Sequence, residues 1–168
     1  VVFNHIQKED SMKKVLGAAL IAVFATVLHA DTDGNFMLAI FSPGELPMPT
    51  SSIYGARLSL IYGECHEFYG LDLGVAGYAR DSATGVQLDA CWNGVGTDMA
   101  GLQAGLANTV EGHLYGLQVG LANAASTVYG CQIGLVNISD RLYGCQIGLA
   151  NFTLERPWSF WPIINVGW

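Results

Sequence analysis

The chain has 168 residues, of which 51% are hydrophobic and only 12% charged, with 14 acidic against 7 basic side chains. That composition excludes a disordered chain, which needs low hydrophobicity and high charge, and it suits one modest domain. Beyond residue 30 no lysine follows, and Arg57, Arg80, Arg141 and Arg156 face twelve carboxylates. Nucleic acid is therefore not expected as a partner, because phosphate binding needs clustered Lys and Arg.

Residues 1–30 read as a targeting segment with a possible N-terminal extension. Met12 precedes Lys13 and Lys14, then an apolar run from Val15 to Leu28, then His29 and Ala30. A basic start, a short apolar core and a small residue describe a secretory signal peptide. The run falls short of the roughly 20 apolar residues a membrane-spanning helix needs. An exported protein, in the outer membrane or at the cell surface, is the expectation, with a retained anchor as the alternative. Residues 31–53 are expected to be irregular: Asp31 to Gly34 is turn-like, Asn35 to Phe41 could form a short strand, and Ser42 to Pro49 holds three prolines and should be a loop.

From Tyr54 to Trp168 the chain is built on one phrase. Tyr115 to Asn123 reads YGLQVGLAN, and the phrase returns at Tyr129 to Asn137, at Tyr143 to Asn151 and, altered, at Ala100 to Asn108. Taking its first glycine as anchor gives Gly55, Gly70, Gly85, Gly101, Gly116, Gly130 and Gly144, at steps of 14 to 16 residues. Two residues on, the column reads Arg57, Asp72, Gln87, Gln103, Gln118, Gln132 and Gln146, and two further on Ser59, Gly74, Asp89, Gly105, Gly120, Gly134 and Gly148. A short fixed period is the mark of a repeat architecture.

Within each copy the period is two. Tyr129, Cys131, Ile133 and Leu135 share one face; Gly130, Gln132, Gly134 and Val136 share the other. Such alternation means a β-strand. A helix is excluded, since each glycine in one would cost about 1 kcal/mol. The fold class is all-β, with two architectures in competition. In a β-solenoid each repeat is a coil and identical columns of Gln and Asn would stack as ladders, but nine unbroken strand residues at about 3.3 Å each span roughly 30 Å, and the few that remain cannot return that distance. A solenoid therefore requires the strand to break near the second glycine. In an antiparallel up-and-down barrel each repeat is one strand and one turn, and transmembrane strands of about 9–11 residues fit. Strands at 54–62, 69–78, 84–92, 100–108, 115–123, 129–137, 143–151 and 160–168 would make eight, with the apolar face toward lipid and tyrosines at both interfaces. The barrel is the expectation and the solenoid the alternative. In either, Arg57, Asp72, Gln87, Asp89, Gln103, Gln118, Gln132 and Gln146 are the candidate interior-lining residues.

The repeats GLQVGLAN and GCQIGLVN, the segments Leu58 to Gly63 and Tyr69 to Gly74, and the ending Pro162 to Asn165 resemble bacterial surface-repeat proteins of the kind described in Leptospira. The resemblance spans about residues 54–168 and implies an exported cell-envelope protein without known catalysis. Separately, Ile164, Val166 and the terminal Trp168 resemble the sorting signal of outer-membrane barrels.

No catalytic set is apparent and an enzyme is not expected; a membrane-embedded lipid-acting enzyme is the weakest alternative. Glu64, Cys65, His66 and Glu67 are all ligand types, yet adjacent residues rarely point at one ion, and a solvated loop is the simpler reading. His113 lacks a partner near it in sequence. Asp72 and Asp89 could be paired acids, but Arg57 and Asp72 share a column on neighbouring strands, which favours a structural ion pair. Gly-Gln-Gly is no phosphate loop, because no helix follows. No CxxC spacing suggests zinc, and Cys131 and Cys145, where Leu102 and Leu117 also sit, read as small hydrophobes. No metal or cofactor is expected. Membrane lipid is the expected partner, and the function is a structural or surface-interaction role, as an outer-membrane barrel or as a soluble or surface-displayed solenoid binding module.

Overall fold

A computed structural model describes residues 34–41, 45–46 and 51–168. The expected export signal lies outside the described residues, as does most of the 42–49 loop. Among the described residues all regular structure is β: β1 (Gly34–Phe41), β2 (Glu45–Leu46), β3 (Ile53–Cys65), β4 (Phe68–Ala79), β5 (Ala83–Val95), β6 (Met99–Ala104), β7 (Ala107–Val119), β8 (Ala122–Ile133), β9 (Val136–Thr153) and β10 (Phe160–Gly167). They join in the order β10-β9-β8-β7-β6-β5-β4-β3-β1-β2.

From β3 to β9 every pairing is parallel and in register, so Gly55, Gly70, Gly85, Gly101, Gly116, Gly130 and Gly144 fall side by side. Parallel neighbours one repeat apart mean that each repeat closes a coil. The structure is a β-solenoid, and the eight-stranded antiparallel barrel is corrected. The reason lies at the second glycine. The chain bends at Gly105-Leu106, Gly120-Leu121 and Gly134-Leu135, so the nine-residue strand divides into a limb carrying Gln and a limb carrying Asn. The return path is thereby shortened to what the remaining residues can cover. In the early coils the turn is made by register shifts, between Ser59 and Gly63 and between Gly74 and Ala76. Stretches expected as hairpin turns, such as 124–128, instead continue β8.

The anchor glycines explain the strict repeat. Gly116 has φ +144°, and a Cβ there would lie 2.0 Å from the carbonyl oxygen of Gly101 in the coil before. Only glycine takes that backbone conformation readily and lets coils stack at strand spacing.

Inside, apolar and polar positions line up as columns, the second apolar one ending on the buried Ser139. One apolar column runs Ile53, Phe68, Ala83, Met99, Leu114, Val128, Leu142, and a second runs Cys65, Ala79, Val95, Val110, Ala125; all are buried. The ends are closed differently. At the start, β1 lies parallel to β3 and sets Met37 beside Arg57 and Ala39 beside Ser59. At the finish, β10 runs antiparallel to β9, with a bulge between Trp161 and Ile163. Ile163 takes φ +69°, a conformation that is costly for a β-branched side chain. Proline, a bulge and a reversed direction are devices that stop further strand addition at a sheet edge.

Candidate functional site

The interior polar positions form two continuous strings. In the first, Gln103 Nε2 donates to Gln87 Oε1 at 2.9 Å, Gln118 to Gln103 at 2.8 Å, Gln132 to Gln118 at 2.7 Å and Gln146 to Gln132 at 2.8 Å. Asn165 of β10 completes it by donating to Gln146 Oε1 at 2.7 Å and to Thr153 Oγ1 at 2.8 Å. In the second, Asn93 donates to Asn108, Asn108 to Asn123, Asn123 to Asn137 and Asn137 to Asn151, each at 2.8 Å. The strings also tie the limbs across the thin interior: Gln118 reaches the Ala124 carbonyl at 3.3 Å and Asn123 the Ile133 carbonyl at 3.0 Å. Buried amides are costly unless bonded, and the stacking satisfies them coil by coil.

At the early end of the glutamine column the amides give way to charge. Arg57 Nε donates to Asp72 Oδ1 at 2.8 Å, and its Nη2 donates to Asp72 Oδ2. Its Nη1 donates to the Tyr78 carbonyl at 2.9 Å and to Cys65 Sγ at 3.0 Å. Phe68 packs against the guanidinium, 5.3 Å from the ring centroid, a cation–π contact. Burial works against the arginine's charge, but the Asp72 hydrogen bonds, with Cys65, Asp72 and Asp89 nearby, hold its pKa above the ordinary value. Gln87 joins by donating to Asp72 Oδ2 at 3.4 Å. Asp89 is fully buried and neither carboxyl oxygen has a hydrogen-bond partner. Gly77 makes room for this group: a Cβ there would meet Arg57 Nη2, Asp89 Oδ2 and Asp72 Oδ2, all within 2.7 Å. Arg57, Asp72, Gln87, Asp89, Gln103, Gln118, Gln132 and Gln146 thus all lie inside, at no more than 1% exposure. The asparagine column, Asn93, Asn108, Asn123, Asn137 and Asn151, stands as the solenoid alternative expected of its Gln and Asn columns, though its members were not among the candidate interior-lining residues. Its signal was an asparagine closing every copy of an otherwise apolar phrase.

One outer face is apolar. One column holds Leu58, Leu73, Leu88, Ala104, Val119, Ile133 and Ile147 in register and continues onto Ile164 of β10. Every member of it except Ala104 is exposed. Past the corner stands a second column, Leu106, Leu121, Leu135 and Leu149, more exposed still; Leu121 is 51% accessible. Between the two runs a shallow groove floored by Gly120, Gly134 and Gly148 and closed by Ile163. Beside the first column lie Cys131 and Cys145, neighbours in register, which are joined as a disulfide; the reading of them as two small hydrophobes is corrected. The tyrosines stack along the axis, Tyr115 on Tyr129 at 5.1 Å, Tyr129 on Tyr143 at 4.9 Å and Tyr54 on Tyr69 at 5.0 Å.

The remaining candidate ligands disperse. Glu64 pairs with Arg80 at 2.5 Å, His66 with Asp81 at 3.2 Å, and Cys65 turns inward to Arg57. His113, expected in a loop, sits in β7 and meets Asp98 at 2.8 Å. The backbone and ring hydrogen bonds from His113 hold the Asp98 carboxyl below its ordinary pKa. Among the described residues no three His, Cys, Asp or Glu side chains converge as metal ligands would.

The arrangement has a sealed interior of amides and an ion pair, and an exterior on which a continuous apolar face stands apart from the exposed charged pairs. Comparison with protein-family models, curated proteins and solved structures gives no match for this chain.

Proposed function

We propose that the chain is an exported, surface-displayed β-solenoid that acts as an interaction module, docking through its outer apolar face. The observation that carries the reading is the continuous uncharged column from Leu58 to Ile147, extended by Ile164 and flanked by Leu106, Leu121, Leu135 and Leu149. Monomeric soluble proteins rarely expose contiguous apolar patches beyond a few hundred Å², and larger ones mark contact surfaces. The in-register stack makes this face regular and flat, suited to an extended apolar surface rather than a small ligand. Membrane lipid is the partner chemistry we favour, with zwitterionic headgroups, because an acidic chain with few arginines gains nothing from anionic ones.

A double substitution on the outer column, Ile133→Glu with Ile147→Glu, tests this. Both side chains are exposed, so the fold should persist, checked by an unchanged β-type circular dichroism spectrum. The parent chain should float with zwitterionic vesicles, and the variant should remain at the bottom of the gradient. A parent chain that ignores vesicles would refute lipid as the partner.

A further inference from the structure

The first three coils bury two carboxylates and one guanidinium. Arg57 spends its Nε and Nη2 donors on Asp72 and its Nη1 on Cys65 and the Tyr78 carbonyl. Asp89 is left with no donor at all, at zero exposure. The groups around it are known from every side. β3 presents Arg57, Ser59 and Cys65; β4 presents Asp72 and Gly74, the latter in register with Asp89; β5 itself adds Gln87 and Asn93; β6 follows with Gln103, and β1 offers only Met37 and Ala39. Ser59 Oγ is also without a partner. Among the described residues, the charges that act on Asp89 are those of Asp72 and Arg57. The neighbouring coil packs tightly on Asp89: a carbon added at Gly74 would lie 2.6 Å from Asp89 Oδ1, and one added at Gly77 would lie 2.5 Å from Asp89 Oδ2. An unpaired buried carboxylate is far too costly to persist, and such a group neutralises instead.

We propose that Asp89 carries a proton shared toward Asp72, so that Arg57, Asp72 and Asp89 form one neutral unit, and that this proton is a pH latch on the first coils of the solenoid. Placing the proton between the two acids converts a repulsion into a hydrogen bond, as in other carboxyl pairs that share one site. The Asp89 carboxyl is accordingly pushed up to about 8, first by burial, then by the Asp72 charge, against the pull of Arg57. The sign follows from linkage. The unfolded chain releases this proton near pH 3.9 and the folded chain near 8, so the folded state binds more protons across that window. The stabilisation is complete below the lower value and is lost as pH rises through the upper one, by about tenfold in the folding constant per pH unit. The latch is independent of the outer face and of any partner it meets.

The test compares the chain with an Asp89→Asn variant, whose amide cannot ionise and can donate to Asp72. Their unfolding midpoints in urea should coincide near about pH 4, and the variant should become progressively the more stable up to about pH 8, after which the gap stays constant. A gap that does not change with pH would overturn the proposal. In the parent chain, amide exchange corrected for its intrinsic pH dependence should accelerate in β3 to β5 before β7 to β9 as pH rises. Should Asp89→Asn fail to fold, 13C-aspartate labelling of the parent chain decides. One carboxyl resonance should stay protonated at about pH 6 and titrate near 8, and its absence would equally overturn the latch.

Discussion

The first two coils and the last five share one backbone but solve the same interior position in opposite ways. In the later coils the column holds neutral amides, each both donor and acceptor, and each coil satisfies the next at 2.7 to 2.9 Å. In the first two coils it holds Arg57 and Asp72, and the unpartnered Asp89 stands beside them two residues beyond Gln87, with Gly74 and Gly77 vacating space for the set. A homogeneous amide string can be extended by repetition. A charged set is closed, because its members fit only one another. The early coils thus give the solenoid a definite beginning, and the later ones could be multiplied without new chemistry.

Breaking the charged set should do the most damage. Arg57→Met leaves two buried acids without their cation and should cost about 3–5 kcal/mol. Arg57→Met combined with Asp72→Leu should cost clearly less, since no net charge is stranded beyond the neutral Asp89; a double-mutant cycle in urea measures the difference. Equal damage from the single and double changes would mean the ion pair contributes nothing specific. In the amide region Gln118→Leu removes a donor to Gln103 and an acceptor for Gln132. It should cost about 2–3 kcal/mol, because Gln103 Oε1, Gln132 Nε2 and the Ala124 carbonyl each lose a partner. Asn165→Ala, at the string's end, should cost only about 1–2 kcal/mol and act locally, freeing β10, which hydrogen exchange would register as lost protection in 160–167 alone.

Much of this contrast was legible in the chain. The glycine anchors, the seven-fold column and its shift from charged residues to glutamine are visible by alignment of the copies, and that alignment sets Arg57 beside Asp72. What the copies do not display is how the chain turns between them. A period of two looks the same in a hairpin strand and in a solenoid limb, because it reports only which side a residue faces. The choice rests on a corner at the second glycine, a backbone event with no side chain to announce it. Taking Leu-Ala-Asn as the tail of one strand extended the strand past its corner, and it kept the asparagines, which the solenoid alternative stacks as a ladder, off the list of interior residues. The Cys131–Cys145 bond shared that fate, since only in-register parallel neighbours bring the same repeat position within bonding reach. Asp89 was legible as an interior residue, but its lack of any donor depends on where three-dimensional packing sends the Arg57 fork.

The two amide strings point in opposite directions. Gln103, Gln118, Gln132 and Gln146 hand a hydrogen toward the N-terminal end, and Asn93, Asn108, Asn123 and Asn137 hand theirs toward the C-terminal end. Their dipoles therefore oppose, so lengthening the stack builds no growing field along its axis, unlike a helix, whose peptide dipoles add. The glutamine string also has a signpost. It terminates on Asp72, and an ionised carboxylate can only accept. Gln87 must turn its NH2 that way, and each amide in line inherits the orientation from the one before. A single carboxylate at one end thus polarises a row of side chains reaching to Asn165 in β10, and reversing any one of them would require reversing them all.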